Sequence, residues 1–305
     1  MKRLSVVVVL GMLAALLTDT GTALAASPVK PVQTLRQQFV VGRGVLVSET
    51  HQTISKGSKR AYINRTTGVI GFGKSGVVGY DLTSKVKITP ELEATFSDEE
   101  LEGIRTPLRA VNVGRYTYVQ GFDWGPMPEG TTWIRFGKSA SWQNYGQRGD
   151  QLVDILSPAR LKFVISKATS LRSGEYRGTL KAEDLYAELG PMNPEKQKIS
   201  FRLFTDKDGL PVRLVTQYDA KEYERGSDGK LTRKMSAHVV DTRYHHWNAK
   251  VKVIAPPASE VVDFGDLPIN QSDQSGAPLV LNSAGPAAKC GNHTLCQRLT
   301  TRPYN

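Results

Sequence analysis

Two adjacent histidines, His245 and His246, stand beside Trp247 in the stretch TRYHHWNAKVKVIAPP, residues 242–257. Paired imidazoles can ligate a metal or exchange protons. The flanking residues argue for something plainer. Residues 234–246 alternate apolar and polar, the signature of a strand, so neighbouring side chains point to opposite faces. His245 and His246 then cannot share an ion unless the strand breaks between them. A metal pair on a strand would want i, i+2 spacing, and His238 has no partner of that kind. The expectation is one histidine at the rim and one packed beside Trp247. Residues 249–257 should run extended into Pro256 and Pro257, which prevent further pairing.

The other chemistry-bearing stretches are also incomplete. GVIGFGKSG (68–76) offers glycines with a Lys-Ser pair. It lacks the G-x4-G-K-[ST] spacing of a phosphate loop and lies where no strand-to-helix turn is expected. Asp98, Glu99 and Glu100 read as the solvated start of a helix. No G-x-S-x-G nucleophile elbow occurs. Catalytic residues, a metal site and a cofactor are therefore not expected, and the chain reads as a non-enzyme. Cys290 and Cys296 are the only cysteines, in KCGNHTLCQ. A local disulfide is one reading, and a metal site with His293 is the other. Three ligands fall short of the usual four, and C-x5-C is not a redox C-x-x-C.

The elements are mainly strands. LRQQFVVGRGVLVSET (35–50) reads as the first. The Val-rich run 59–89, punctuated by Gly68, Gly73, Gly76 and Gly79, reads as a meander of short strands. TPELEATFSDEELEGI (89–104) is an acidic, helical excursion. Two strands follow around Gly114, then another ending at Phe136. Ser157 and Pro158 are an N-cap and a first helical residue, and Leu161, Val164, Ile165 and Ala168 recur on one face behind them. GEYRGTLKAEDLYAELG (174–190) is a strand running into a second short helix. Ile199, Phe201 and Leu203 face Val212, Leu214, Thr216 and Tyr218 across an Asp208-Gly209 turn, a strong hairpin signal. A last long strand contains His238.

The chain opens with Lys2 and Arg3 and an apolar run from Leu4 to Leu17, followed by Ala23-Leu24-Ala25. That is the layout of a signal peptide cleaved between Ala25 and Ala26; the run is shorter than the ~20 residues of a membrane span. Residues 1–25 are expected as signal, 26–34 as a lead, 35–264 as the folded domain, and 265–305 as a disordered tail of low hydrophobicity. The net charge of +11 favours anionic partners such as head groups or wall polymer, and export argues against nucleic acid. The basic residues are spread along the chain, which also suits a merely solvated surface.

The order of these pieces carries a resemblance. SPARLKFVISKA, DKDGLPVRL and the closing W-x-A-K-V-K-V-x-A-P-P resemble the LolA-like, LppX/LprG-like half-barrel proteins of the bacterial envelope over roughly residues 35–264. The resemblance implies an α+β fold, a strongly curved antiparallel sheet forming a half-open barrel around a few short helices. It implies a secreted or cell-wall-associated, non-enzymatic protein that binds or carries a lipid or other apolar ligand. Leu161, Val164, Ile165, Phe201, Leu203, Val212 and Leu214 would line the cavity, or serve as ordinary core. Relatives often carry a lipid-anchoring cysteine where this chain has Ala26, so a membrane anchor is not expected. The alternative is a basic scaffold, without lipid, docking on anionic polymer or another envelope protein. The N-x-[ST] motifs at Asn64, Asn270 and Asn292 are incidental in a bacterial protein.

Overall fold

The computed structural model describes residues 30–57, 61–121, 126–137, 149–186, 198–225 and 231–267. The expected signal peptide with Ala25 and Ala26, residues 226–230, most of the expected tail, and Cys290 and Cys296 lie outside them.

Among the described residues twelve strands form one sheet. They are β1 (Arg43–Ser55), β2 (Ala61–Phe72), β3 (Val77–Ile88), β4 (Leu108–Val113), β5 (Tyr116–Gln120), β6 (Trp133–Phe136), β7 (Ala168–Arg172), β8 (Glu175–Lys181), β9 (Lys198–Thr205), β10 (Pro211–Arg225), β11 (Leu231–Lys250) and β12 (Val261–Asp263). Their order is β12-β6-β5-β4-β3-β2-β1-β11-β10-β9-β8-β7, an open series in which only β12–β6 pairs in parallel. Five short α-helices accompany it among the described residues: α1 (Pro31–Gln37), α2 (Pro90–Glu93), α3 (Asp98–Arg105), α4 (Pro158–Ser166) and α5 (Ala182–Tyr186). The coarse expectation of a mostly antiparallel sheet with a few short helices is met.

Local chemistry explains several boundaries. Ser157 Oγ accepts from Arg160 N and Pro158 opens α4. Ser97 and Glu100 form a capping box that starts α3, the role of that acidic run. Gly209, with φ of +84°, turns β9 into β10, and Asp206 N donates to Leu210 O to close the hairpin.

Three expectations need correction. Residues 35–37 are helical, because Pro31 opens α1 and buried Leu35 anchors it; the strand begins only at Arg43, after Gly42 turns the chain at φ +77°. β1, β2 and β3 are long, at 13, 12 and 12 residues, since the glycines inside them sit in register rather than in turns. Pairing also does not end at Pro257: residues 251–257 strap the outer face, and Val261–Asp263 then joins β6.

The sheet has two differently covered faces. The inner face packs Val45, Val47, Ile70, Phe72, Tyr80, Leu82, Phe201, Leu203 and Leu214 against Leu35 of α1, Leu161 and Val164 of α4, and Val153, Ile155 and Leu156 of the segment before α4. On the outer face, Val253, Ala255 and Val261 pack on Val111, Tyr118 and Trp133. The strap comes this close because Gly44 has no side chain: a Cβ there would meet Ile70 O at 2.2 Å and Val251 Cγ2 at 2.8 Å. Leu267, fully buried, folds back onto Val119, Ile134 and Phe136.

Candidate functional site

The inner face changes character along its central strands. On β1 the inward series runs Val45, Val47, Glu49, His51, Thr53, and all five are buried. Register brings matching residues alongside. Glu49 lies opposite Thr242 of β11 and Thr66 of β2; His51 lies opposite Val240 and Asn64; Thr53 lies opposite His238 and Tyr62. On β10, Thr216 and Tyr218 continue the row beside Val240 and His238. The segment entering α4 lies over this polar row and contributes Asp150 and Gln151.

A continuous hydrogen-bond network results. Asp150 Oδ2 accepts from His51 Nδ1 at 3.1 Å and from Asn64 Nδ2 at 2.7 Å. That carboxylate selects the Nδ1–H form of His51, which turns its Nε2 towards His238 Nδ1 at 3.1 Å and Thr53 Oγ1 at 3.2 Å. Thr53 Oγ1 is also 3.1 Å from His238 Nδ1. The His238 ring stacks on Tyr218 with centroids 4.7 Å apart, and His51 meets Tyr62 edge-on. A second branch runs from Glu49. Its Oε1 accepts from Asp150 N, and its Oε2 hydrogen-bonds with Thr242 Oγ1 at 2.6 Å. Gln151 Nε2 donates to Thr242 Oγ1 at 3.1 Å, while Thr216 Oγ1 donates to Gln151 Oε1 at 2.9 Å. Asn64 Oδ1 is buried without a hydrogen-bond partner among the described residues.

Glu49 is the costliest member. It is 4% exposed, and burial, followed by the negative charge of Asp150, pushes its carboxyl up to about 8 against the lowering effect of its hydrogen bonds. At neutral pH it is therefore held mainly as the acid. Gly149, at φ +97°, is required where the covering segment meets it, since a Cβ there would sit 2.5 Å from Glu49 Oε1.

The order carboxylate–imidazole–hydroxyl, Asp150–His51–Thr53, has the sequence of groups that activates a nucleophile. Here Thr53 is 2% exposed near the end of β1 and its hydroxyl is shared between two imidazoles, so the arrangement ties these groups to one another. Among the described residues no group of three or more histidine, cysteine or acidic side chains has the geometry to hold a metal ion.

The sequence-derived candidates fall elsewhere. Leu161, Val164, Phe201, Leu203 and Leu214 are buried in the apolar part of the inner face. Ile165 is half-buried against it, and Val212 is half-buried beside the register shift between Pro211 and Arg213. His245 and His246 do approach each other, with ring centroids 5.1 Å apart, because His246 at φ +53° breaks the alternation expected of an unbroken strand. Trp247 packs on Phe72 and donates to Pro211 O. His238 has no i, i+2 partner on its own strand, as expected; its partner is cross-strand, His51 diagonally opposite. Asn64 points into the network. The signal for the site was the run V-L-V-S-E-T-H-Q-T, in which the inward period-2 series passes from valines to Glu49, His51 and Thr53 without changing phase.

No family model and no curated protein matches this chain. Among solved structures, a LolA superfamily protein from Nitrosomonas europaea shares 10% identity over 74% of this chain and 94% of its own, with a TM-score of 0.23. The MucA/MucB complex of Pseudomonas aeruginosa shares 8% over 74% and 98%, with a TM-score of 0.12. Overlaps at those scores carry no weight for this chain, and its architecture rests on its own described strands.

Proposed function

We propose that this chain is an exported, non-enzymatic binding protein of the cell envelope. It takes up a lipid or another apolar ligand with a hydrogen-bonding head, on the inner face of a sheet curved as a half-open barrel. The carrying observation is the composition of that face: an apolar surface shared with α1 and α4 runs directly into a polar row of buried Glu49, His51 and His238 with half-buried Asp150 and Asn64. Folding alone does not call for such a row. Buried polar groups cost stability unless satisfied, and apolar side chains of similar volume would serve a solid core at least as well. The unpartnered Asn64 Oδ1 would accept from a ligand hydroxyl or amine, and the neutral Glu49 acid and the His51–Asp150 pair would exchange hydrogen bonds with the rest of the head.

The test is native mass spectrometry of protein purified from its host without detergent, followed by solvent extraction. A discrete added mass that extracts as an amphipathic molecule is expected. A clean apo mass that persists after incubation with host lipid would overturn the reading.

A further inference from the structure

The end of the sheet where β1 begins, β2 ends, β3 begins and β11 ends carries a surface the binding reading does not use. Seven large apolar side chains are exposed among the described residues, and four gather here: Val40 at 47%, Val41 at 66%, Val78 at 55% and Ile254 at 63%. The elements that carry them are tied together. Arg43, just after Val40 and Val41, pairs with both Lys250 and Phe72, and Phe72 pairs with Val77. Arg43 N donates to Val40 O at 3.0 Å, and Val251 N donates to Gly42 O at 3.1 Å. In the strap, Val251, Val253 and Ala255 turn to the sheet, which leaves Lys252 and Ile254 facing outward.

The charge of this end is one-sided. Residues 36–48, 69–80 and 244–259 contain no aspartate or glutamate, while they carry Arg36, Arg43, Lys74, Lys250 and Lys252. Arg36, Lys74, Lys250 and Lys252 are exposed and form no ion pair among the described residues. The bordering acids are engaged. Arg109 holds Asp81 through two bonds of 2.7 and 2.9 Å; Asp206 accepts from Asp208 N and Leu210 N in its own turn; and Lys207 lies 3.9 Å from Asp208.

We infer that Val40, Val41, Val78 and Ile254, with Lys74, Lys250 and Lys252 around them, form a docking surface for a bilayer containing anionic phospholipid. Exposed aliphatic tips enter the boundary between head groups and acyl chains, and the lysines meet the phosphates. Neither element suffices alone, since a soluble polyanion would satisfy the lysines and leave the four aliphatic tips in water. This surface borders the apolar part of the inner face rather than the Glu49–His51 row, so docking would bring that part next to the membrane. The inference does not depend on a bound ligand.

The experiment is co-sedimentation of the host-purified protein with phosphatidylcholine vesicles, with and without phosphatidylglycerol, at low and high salt. Two double variants accompany it, V41S/I254S and K250E/K252E, with circular dichroism checking that each still folds; all four side chains are exposed. Binding only to the phosphatidylglycerol vesicles is expected, weakened by salt, with each double variant lowering the partition coefficient about tenfold or more. Absence of binding to phosphatidylglycerol vesicles would overturn the inference. So would binding that the lysine variant abolishes and the serine variant leaves intact, because that pattern is a polyanion contact without insertion.

Discussion

The two halves of the inner face belong to the same strands yet obey different rules. Towards the start of β1, Val45, Val47, Ile70, Phe72, Tyr80 and Leu82 exclude water and need only volume and shape. Directly further along β1, Glu49, His51 and Thr53, with Asn64 and His238 beside them, occupy the same face and depend on each other's hydrogen bonds. The first half stabilises the fold. The second half gives up stability and gains titratable, hydrogen-bonding groups in a low-dielectric setting, the usual mark of a functional surface.

The contrast can be broken first from its apolar side. Phe201→Ala should cost about 3–5 kcal/mol, read as a lower urea midpoint, because its ring is buried on β9 between β8 and β10 and its loss leaves a cavity in the core. A loss below about 1 kcal/mol would mean that this half is not a packed core.

The polar half should announce itself through pH. The Glu49 carboxyl is raised from 4.5 to about 8 in the folded state, so the folded protein holds a proton there that the unfolded chain has lost. Stability should therefore fall as pH climbs from about 4.5 through about 8, by an amount on the order of a few kcal/mol. Glu49→Gln should flatten that slope and be more stable than wild type at pH 9. A melting temperature with the same pH dependence in both proteins would remove Glu49 from the account.

Asp150→Asn should cost about 1–3 kcal/mol, since it leaves His51 Nδ1 without its charged acceptor while Asn64 keeps an amide oxygen to donate to. Gly149→Ala should act on the same contact, combining strain at φ +97° with a methyl pressed on Glu49. Its effect should shrink in a Glu49→Ala background, and full additivity in that double-mutant cycle would separate the two sites.

The smallest effect belongs to the outer face. Glu175 is held down to about 2 by its hydrogen bonds to Arg177 and then Arg202. The two arginines are solvent-exposed and Glu175 is half-buried at the surface, so Glu175→Gln should lower stability by no more than about 1 kcal/mol, read from the urea midpoint.

What the sequence disclosed follows the range of the physics. The Ser157–Pro158 start of α4, the β2–β3 turn, Gly114 between β4 and β5, and the Asp208-Gly209 hairpin are each decided within a few residues, and each was legible. α1 was not: its leucine and glutamines alternate well enough to pass for a strand, and only docking of Leu35 against α4 makes the helix pay. The Glu49–His51–His238 network escaped for a different reason. It joins residues 187 positions apart, through a register that pairs the first strand with the last long one. Periodicity shows which face His238 occupies but not what stands across from it. His245 and His246 are the opposite case, adjacent in sequence and peripheral in space, which the strand pattern around them already indicated; only the break at His246, φ +53°, escaped it.

The most direct test of the central claim is to follow the ring nitrogen resonances of His51 and His238 by NMR while the protein is titrated with a total lipid extract of its host. If the head of the ligand sits on the polar half, both histidines shift together with inner-face methyls such as Leu214 and Val47. If the methyls move while both imidazoles stay fixed, or if neither responds, the buried row is a structural feature of the fold and the account fails.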